Sequence, residues 1–263
     1  GVQTCALPIY SRQPNLLIED KDIANSIIEE VDKSIVYVFQ GPPGTGKTHQ
    51  IADVASRLVL ANKSVLITAL TNKAAIEVCE KPFLNKLFDE GRVSKLPLSI
   101  DERNKFPKLT NAKDLVPTKG HLTLTTFYQF SRIWQTQNQS YDYVIVEEAS
   151  QAYLTTIAAA CKVGKKVIIV GDPKQSIYRW RGGKMELIID GIAPGLKYHW
   201  NDRRDISLKA NYRSAKEIVQ FNNAFFTTIK NSISLQNPLF KDVLADVEQE
   251  LKKEDKQGFV QCK

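Results

Sequence analysis

This chain of 263 residues is poor in the residues that build stapled or metal-held scaffolds. Its four cysteines, Cys5, Cys79, Cys161 and Cys262, lie far apart, form no C-x-x-C pair and have no histidine at zinc-site spacing. That pattern argues against a disulfide framework or a structural zinc, and reduced thiols in a cytoplasmic protein are the simplest expectation. The three histidines, His49, His121 and His199, form no cluster and are assigned no chemistry. No apolar run approaches the ~20 residues of a membrane span, so no membrane partner is expected. Internal repeats and low-complexity tracts are also missing, which sets aside solenoids and disordered chains.

What the chain does contain is ordinary for a globular protein, with 43% hydrophobic and 25% charged residues. Its length suits one α/β domain and part of another. A net charge of +7 and an isoelectric point near 9.1 agree with a polyanionic partner without demanding one.

The most informative string is GPPGTGKT, from Gly41 to Thr48. The run before it, residues 34–40 (SIVYVFQ), is apolar and β-branched and reads as a buried strand. Gly41, Gly44 and Gly46 then let the backbone turn sharply and aim N–H groups, that of Thr45 among them, at phosphate oxygens. Lys47 can reach the β- and γ-phosphates, and the Thr48 hydroxyl can ligate Mg²⁺. A helix running to about Ala61 places its positive end at the same anion. The string G-x-x-x-x-G-K-[ST] arises by chance in roughly one chain of this length in a hundred. The strand and helix around it make ATP with Mg²⁺ the expected cofactor pair.

Further strands are expected at residues 64–69 (SVLITA), 121–126 (HLTLTT), 143–146 and 167–170, with a helical stretch from Lys73 towards Leu87. Strands alternating with helices imply an α/β fold, a mainly parallel sheet covered on both faces. Residues 81–120 break the rhythm with prolines and charges and read as a small insertion, and beyond about Lys184 the pattern turns mostly helical. The strand in YDYVIVEEASQA ends in two carboxylates. Such an ending puts Glu147 at the Mg²⁺ and Glu148 near the attacking water. The first nine residues, GVQTCALPI, match the translation of a sequencing adapter and are expected to stand outside the fold.

Taken in order, these strings resemble the N-terminal motor half of a superfamily 1 DNA helicase of the UvrD/Rep/PcrA and RecB/AddA kind. GPPGTGKT resembles motif I, LITALTNKAA motif Ia and TTFYQF motif Ib; VIVEEASQA resembles motif II, VGDPKQSIYRWRGG motif III and LKANYRS motif IV. The resemblance implies a P-loop NTPase of RecA-like fold in residues 10–200 and the incomplete start of a second RecA-like domain in residues 201–263. It also implies an ATP-dependent motor on single-stranded DNA in repair or recombination, partnered by a nuclease domain or subunit. Gln175 would contact the γ-phosphate, Arg213 would be an arginine finger and Tyr212 would stack on adenine. Tyr178 and Trp180 would stack on bases beside Arg181, while Thr71, Asn72 and Thr126 fall where the family contacts the strand's backbone.

The chain also departs from that pattern. Glu147 stands where aspartate is usual, Leu70 replaces a base-packing phenylalanine, and Lys21 takes the place of the adenine-reading glutamine. EEASQA leans toward the other branch of the superfamily, which includes RNA-surveillance helicases. No motif V or VI follows Arg213, so the expectation is a stub too small to fix that arginine firmly. Other readings of the same residues are a non-translocating ATP switch and a fragment that only binds nucleotide.

Overall fold

The expected alternation is present as an eight-stranded sheet in which every pairing is parallel. The structure, a computed structural model, describes residues 22–133, 139–172, 203–234, 248–251 and 258–260. In chain order the elements are α1 (Ile23–Asp32), β1 (Val36–Gln40), α2 (Lys47–Leu60), β2 (Ser64–Ala69), α3 (Asn72–Cys79) and α4 (Asn85–Asp89). Then come β3 (Val93–Leu96), α5 (Ile100–Lys105), β4 (Thr110–Asn111), β5 (His121–Thr126), α6 (Phe127–Ile133), β6 (Tyr141–Val146), α7 (Leu154–Val163) and β7 (Gly164–Gly171). The last are β8 (Arg203–Ser207), β9 (Ala210–Asn211), α8 (Lys216–Ser234) and β10 (Glu250–Leu251). The strand order is β4-β3-β5-β2-β6-β7-β1-β8, so the chain runs from β1, next to one edge, out to β4 at the other and returns to end at β8 beside β1.

The strands alternate their side chains between two cores, as a pleat requires. Tyr143 and Ile145 of β6 join the core under α1, α2 and α3, while Val144 and Val146 join the one under α6 and α7. Both faces are thus apolar, which explains why the central strands read as continuous hydrophobic runs. Helix α2 contributes Ile51, Val54, Ala55 and Leu58 to the first core at helical spacing.

Two boundaries differ from the sequence-based expectation. Residues 81–120 supply the edge of the sheet: β3 pairs with β5 from Val93↔Leu122 to Leu96↔Thr125, and β4 pairs with β3. The pattern hides this because Lys95 interrupts the apolar run. Lys95 is nevertheless fully buried, its Nζ donating to Asn72 Oδ1 (2.8 Å), the Pro97 carbonyl (2.5 Å) and Glu102 Oε2 (3.0 Å). The second difference is β8, which pairs with β1 from Val36↔Arg203 to Gln40↔Ser207. A boundary at residue 200 is therefore corrected: residues 203–207 complete the first sheet, because β1 has a free edge that only a later segment fills. The adapter-like residues 1–9 and Lys21 lie outside the described residues.

Candidate nucleotide site

Because all strands run the same way, their carboxyl ends share one edge, where open α/β sheets bind ligands. β1 ends at the glycine loop, β2 at Thr71, β5 at Thr126, β6 at Glu147 and β7 at Asp172.

The loop is shaped by two left-handed glycines, Gly44 (φ 83°) and Gly46 (φ 79°). Gly44 also permits a close approach: a Cβ there would come within 2.8 Å of the Arg213 Cβ. Thr45 is buried, and its Oγ1 donates to the Pro42 carbonyl at 2.8 Å, holding the loop's own curvature. Lys47 Nζ donates to the carbonyls of Gly41 (2.7 Å) and Pro42 (3.2 Å). Burial lowers the Lys47 pKa below the ordinary lysine value, although Asp172, Glu148 and Glu147 pull it back up.

Thr48 Oγ1 donates to Glu147 Oε1 at 3.0 Å, joining two strings that lie 99 residues apart. Glu147 is 3% exposed, and its Oε2 is buried without a hydrogen-bond partner among the described residues. Burial first, then the neighbouring Glu148, pushes the Glu147 carboxyl up to about 7, against the opposing pull of Thr48 and Lys47. An orphaned carboxylate oxygen beside a threonine hydroxyl is a set of hard oxygen donors, and it fits a small divalent cation such as Mg²⁺. Glutamate in place of aspartate thus still reaches the threonine.

Glu148 adopts the left-handed conformation (φ 54°, ψ 39°). For a residue with a side chain this costs on the order of 1–3 kcal/mol, and such strain clusters at functional sites. Its carboxylate accepts from Gln151 Nε2 at 3.2 Å. Lys47, Thr48 and Glu148 line one cleft with Pro43, Gly44 and Gly46, and Tyr212 and Arg213 line it too.

The backbone of the turn after β9 is hydrogen-bonded to the loop, an anchorage that the small size of the segment around Arg213 gave no reason to expect. Tyr212 N–H donates to the Gly44 carbonyl at 2.9 Å. Asn211 Oδ1 accepts from the backbone N–H of Arg213 and of Ser214, both at 2.8 Å. Asn211 Nδ2 donates to the Pro43 carbonyl (3.4 Å) and to Gln249 Oε1 (2.6 Å). The backbone of the turn is thus anchored by the loop itself.

The residues expected at the strand backbone have local partners. Thr71 caps α3, its Oγ1 accepting from Ala74 N–H at 3.1 Å. Asn72 is taken by Lys95, and Thr126 Oγ1 accepts from Gln129 N–H at 3.4 Å. Leu70 packs against the second core. All of them lie along the carboxyl edge. Gln175, Tyr178, Trp180 and Arg181 lie outside the described residues. Sequence reasoning missed Asp172, buried after β7 and acting on Lys47. It also missed His49, Glu77 and Lys81, which line the cleft. Glu77 and Lys81 form an i,i+4 ion pair of 3.5 Å that reads as a solvated helix face until α3 is docked beside the loop.

A glycine loop between strand and helix, and paired carboxylates after a parallel strand set one strand away from it in the sheet, define a P-loop NTPase of RecA-like fold. The chain belongs to the AAA domain family, whose pattern matches residues 24–181. It is 32% identical over 109 residues to a probable DNA helicase II homolog of Mycoplasma capricolum, an alignment covering 40% of this chain and 14% of that protein. It is 26% identical over 171 residues to the DNA replication ATP-dependent helicase/nuclease DNA2 of Saccharomyces cerevisiae, covering 63% and 11% of the two chains. With the ATP-dependent DNA helicase PcrA of Staphylococcus aureus the identity is 29% over 122 residues, 45% and 15% of the two. The chain thus spans a small part of the length of these relatives, and they bear out the resemblance to superfamily 1 helicases.

Among the described residues, no helix is long and apolar enough to cross a membrane. Cys79 and Cys161 are buried thiols, each pushed up to about 12 by burial.

Proposed function

We propose that this chain is the ATP-hydrolysing half of a helicase motor that moves along single-stranded DNA. The observation that carries the reading is the convergence of Lys47, Thr48, Glu147 and Glu148 with Arg213 on one edge, joined by the Thr48–Glu147 hydrogen bond. Support for DNA as the substrate comes from relatives named as DNA helicases. The role we assign it is in repair or recombination, and one relative named a DNA replication helicase/nuclease supports work beside a nuclease domain or subunit.

In this reading Lys47 leaves its two loop carbonyls to neutralise phosphate charge, and the loop N–H groups cradle the remaining oxygens. Mg²⁺, held by Thr48 and Glu147, would supply charge stabilisation on the phosphoryl oxygens. Glu148 orients and deprotonates the attacking water. Arg213 stabilises charge on the transferring group, and Tyr212 packs on the adenine. Gln175 couples loss of the γ-phosphate to movement, and Tyr178 and Trp180, beside Arg181, hold stacked bases, each worth ~1–3 kcal/mol. The first RecA-like domain closes with β8, and the second begins beyond the turn that carries Arg213.

The test uses full-length protein and single-stranded DNA. Lys47→Ala should lose tight Mg-ATP binding, whereas Glu148→Gln should bind nucleotide and not turn it over. DNA-stimulated hydrolysis without directional movement along the strand would favour a non-translocating switch and overturn the motor reading.

A further inference from the structure

Gln151 has no assigned part in the site, yet it touches the expected base twice. Its backbone N–H donates to the Glu148 carbonyl at 2.9 Å, closing a 3-10 turn over Ala149–Gln151. Its side-chain Nε2 donates to Glu148 Oε2 at 3.2 Å. The pair therefore forms a small ring through both backbone and side chains.

Glu148 needs such a restraint for two physical reasons. The pleat of β6 sends Glu147 toward α2, and only the left-handed backbone at Glu148 re-aims the next carboxylate into the cleft with Lys47 and Thr48. Glu147 lies beside it, and like charges push the more exposed carboxylate away from the site. A cation could hold it, but a cation there would compete with Lys47 and Arg213 for phosphate. An amide holds one oxygen without adding charge and leaves Oε1 to meet a water.

We propose that Gln151 is the positioning residue for Glu148: its amide fixes Oε2 so that Oε1 faces the water attacking the phosphoryl group. This rests on the reading of Glu148 as the base. Gln151 acts through Glu148 and needs no contact with nucleotide.

The experiment measures DNA-stimulated ATP turnover of the full-length protein. Gln151→Met keeps the length and bulk of the side chain but removes the donor. It should lower kcat by about 10- to 100-fold, the equivalent of one hydrogen bond to a charged group, with KM for ATP changed by no more than about twofold. Gln151→Glu should fall further, because two carboxylates then repel. Affinity for a fluorescent ADP and the melting temperature should match wild type in both variants. Added to Glu148→Gln, Gln151→Met should cause no additional loss, since the group it positions is already gone. Wild-type kcat in Gln151→Met, or a loss matched by weaker ADP binding and lower melting temperature, overturns the proposal. The two readings fail separately. A Glu148→Gln protein that still turns over removes the base, whereas an inactive Glu148→Gln beside a normal Gln151→Met removes only the positioning role.

Discussion

The two ends of β6 carry two buried acids whose pKa values move in opposite directions. At the amino edge of the sheet, Asp142 accepts from Ser64 N–H (2.8 Å), Ser64 Oγ (3.0 Å), Lys119 Nζ (2.6 Å) and Lys165 Nζ (3.1 Å). Burial alone would raise its pKa, but these donors together hold it well below the usual carboxylate range. At the carboxyl edge Glu147 has one hydroxyl partner and one orphaned oxygen, and it is pushed up to about 7. Burial acts on both in the same sense. The difference is the supply of cations: the chain brings its own lysines to Asp142, and at Glu147 it leaves room for a cation from outside. A buried acid with a complete set of partners holds the fold together, whereas one with an incomplete set is poised for a ligand.

The sharpest way to break that comparison is to neutralise each acid in turn. Glu147→Gln should lower ATP turnover by about 10²–10⁴-fold, the loss of several kcal/mol of charge stabilisation. The same change should stabilise the folded protein by on the order of 1–3 kcal/mol at pH 8, since it removes an incompletely paired buried charge. Calorimetry of the variant without nucleotide checks the second half, and a lower melting temperature would show that Glu147 is a structural acid like Asp142.

Asp142→Asn should do the reverse. It should cost about 1–3 kcal/mol of stability, because charge-assisted bonds are replaced by neutral ones. Turnover measured well below the melting temperature should be unchanged. A loss of activity at full stability would mean that the amino edge speaks to the site.

The pH dependence sharpens the contrast further. Glu147 has a raised folded pKa, so its contribution to stability is fully present below 4.5 and lost as pH rises towards about 7. Asp142 has a depressed one, so its contribution is present above 3.8 and lost as pH falls through its folded value. Subtracting the Glu147→Gln melting profile from wild type should isolate a slope between pH 4.5 and about 7, and Mg-ADP should abolish it. A flat difference profile would deny the raised pKa.

The smallest effect belongs to Thr71. Thr71→Ala should cost about 1 kcal/mol by removing the cap of α3, and Thr71→Ser should restore it. If single-stranded DNA affinity also falls in the alanine variant and returns in the serine one, the cap hydroxyl has a second partner. Unchanged affinity leaves Thr71 a cap alone.

Much of the carboxyl edge was legible because its chemistry is written in contiguous strings. GPPGTGKT specifies a loop, and VIVEE a strand ending in carboxylates, so Lys47, Thr48, Glu147 and Glu148 could be named from the strings alone. The amino edge was not legible at all. Asp142, Ser64, Lys119 and Lys165 are scattered over about a hundred residues and look like ordinary polar positions until β2 and β6 lie side by side. Lys95 failed for a related reason: a lysine inside a short run signals a surface, and only the tertiary fold gives it three acceptors.

The sequence by itself determined the parallel α/β class, the phosphate loop and the identity of the paired acids, because local periodicity and short-range spacing carry that information. Tertiary structure alone decided four further things. These were that residues 203–207 complete the first sheet, that the Asn211 turn is pinned to Gly44, that Thr48 meets Glu147, and that Gln151 holds Glu148 in a left-handed turn. Three of these are contacts between distant segments, and the fourth is a backbone conformation that glutamate rarely adopts. None has a signature in composition or period, because each exists only once the strands have chosen their neighbours.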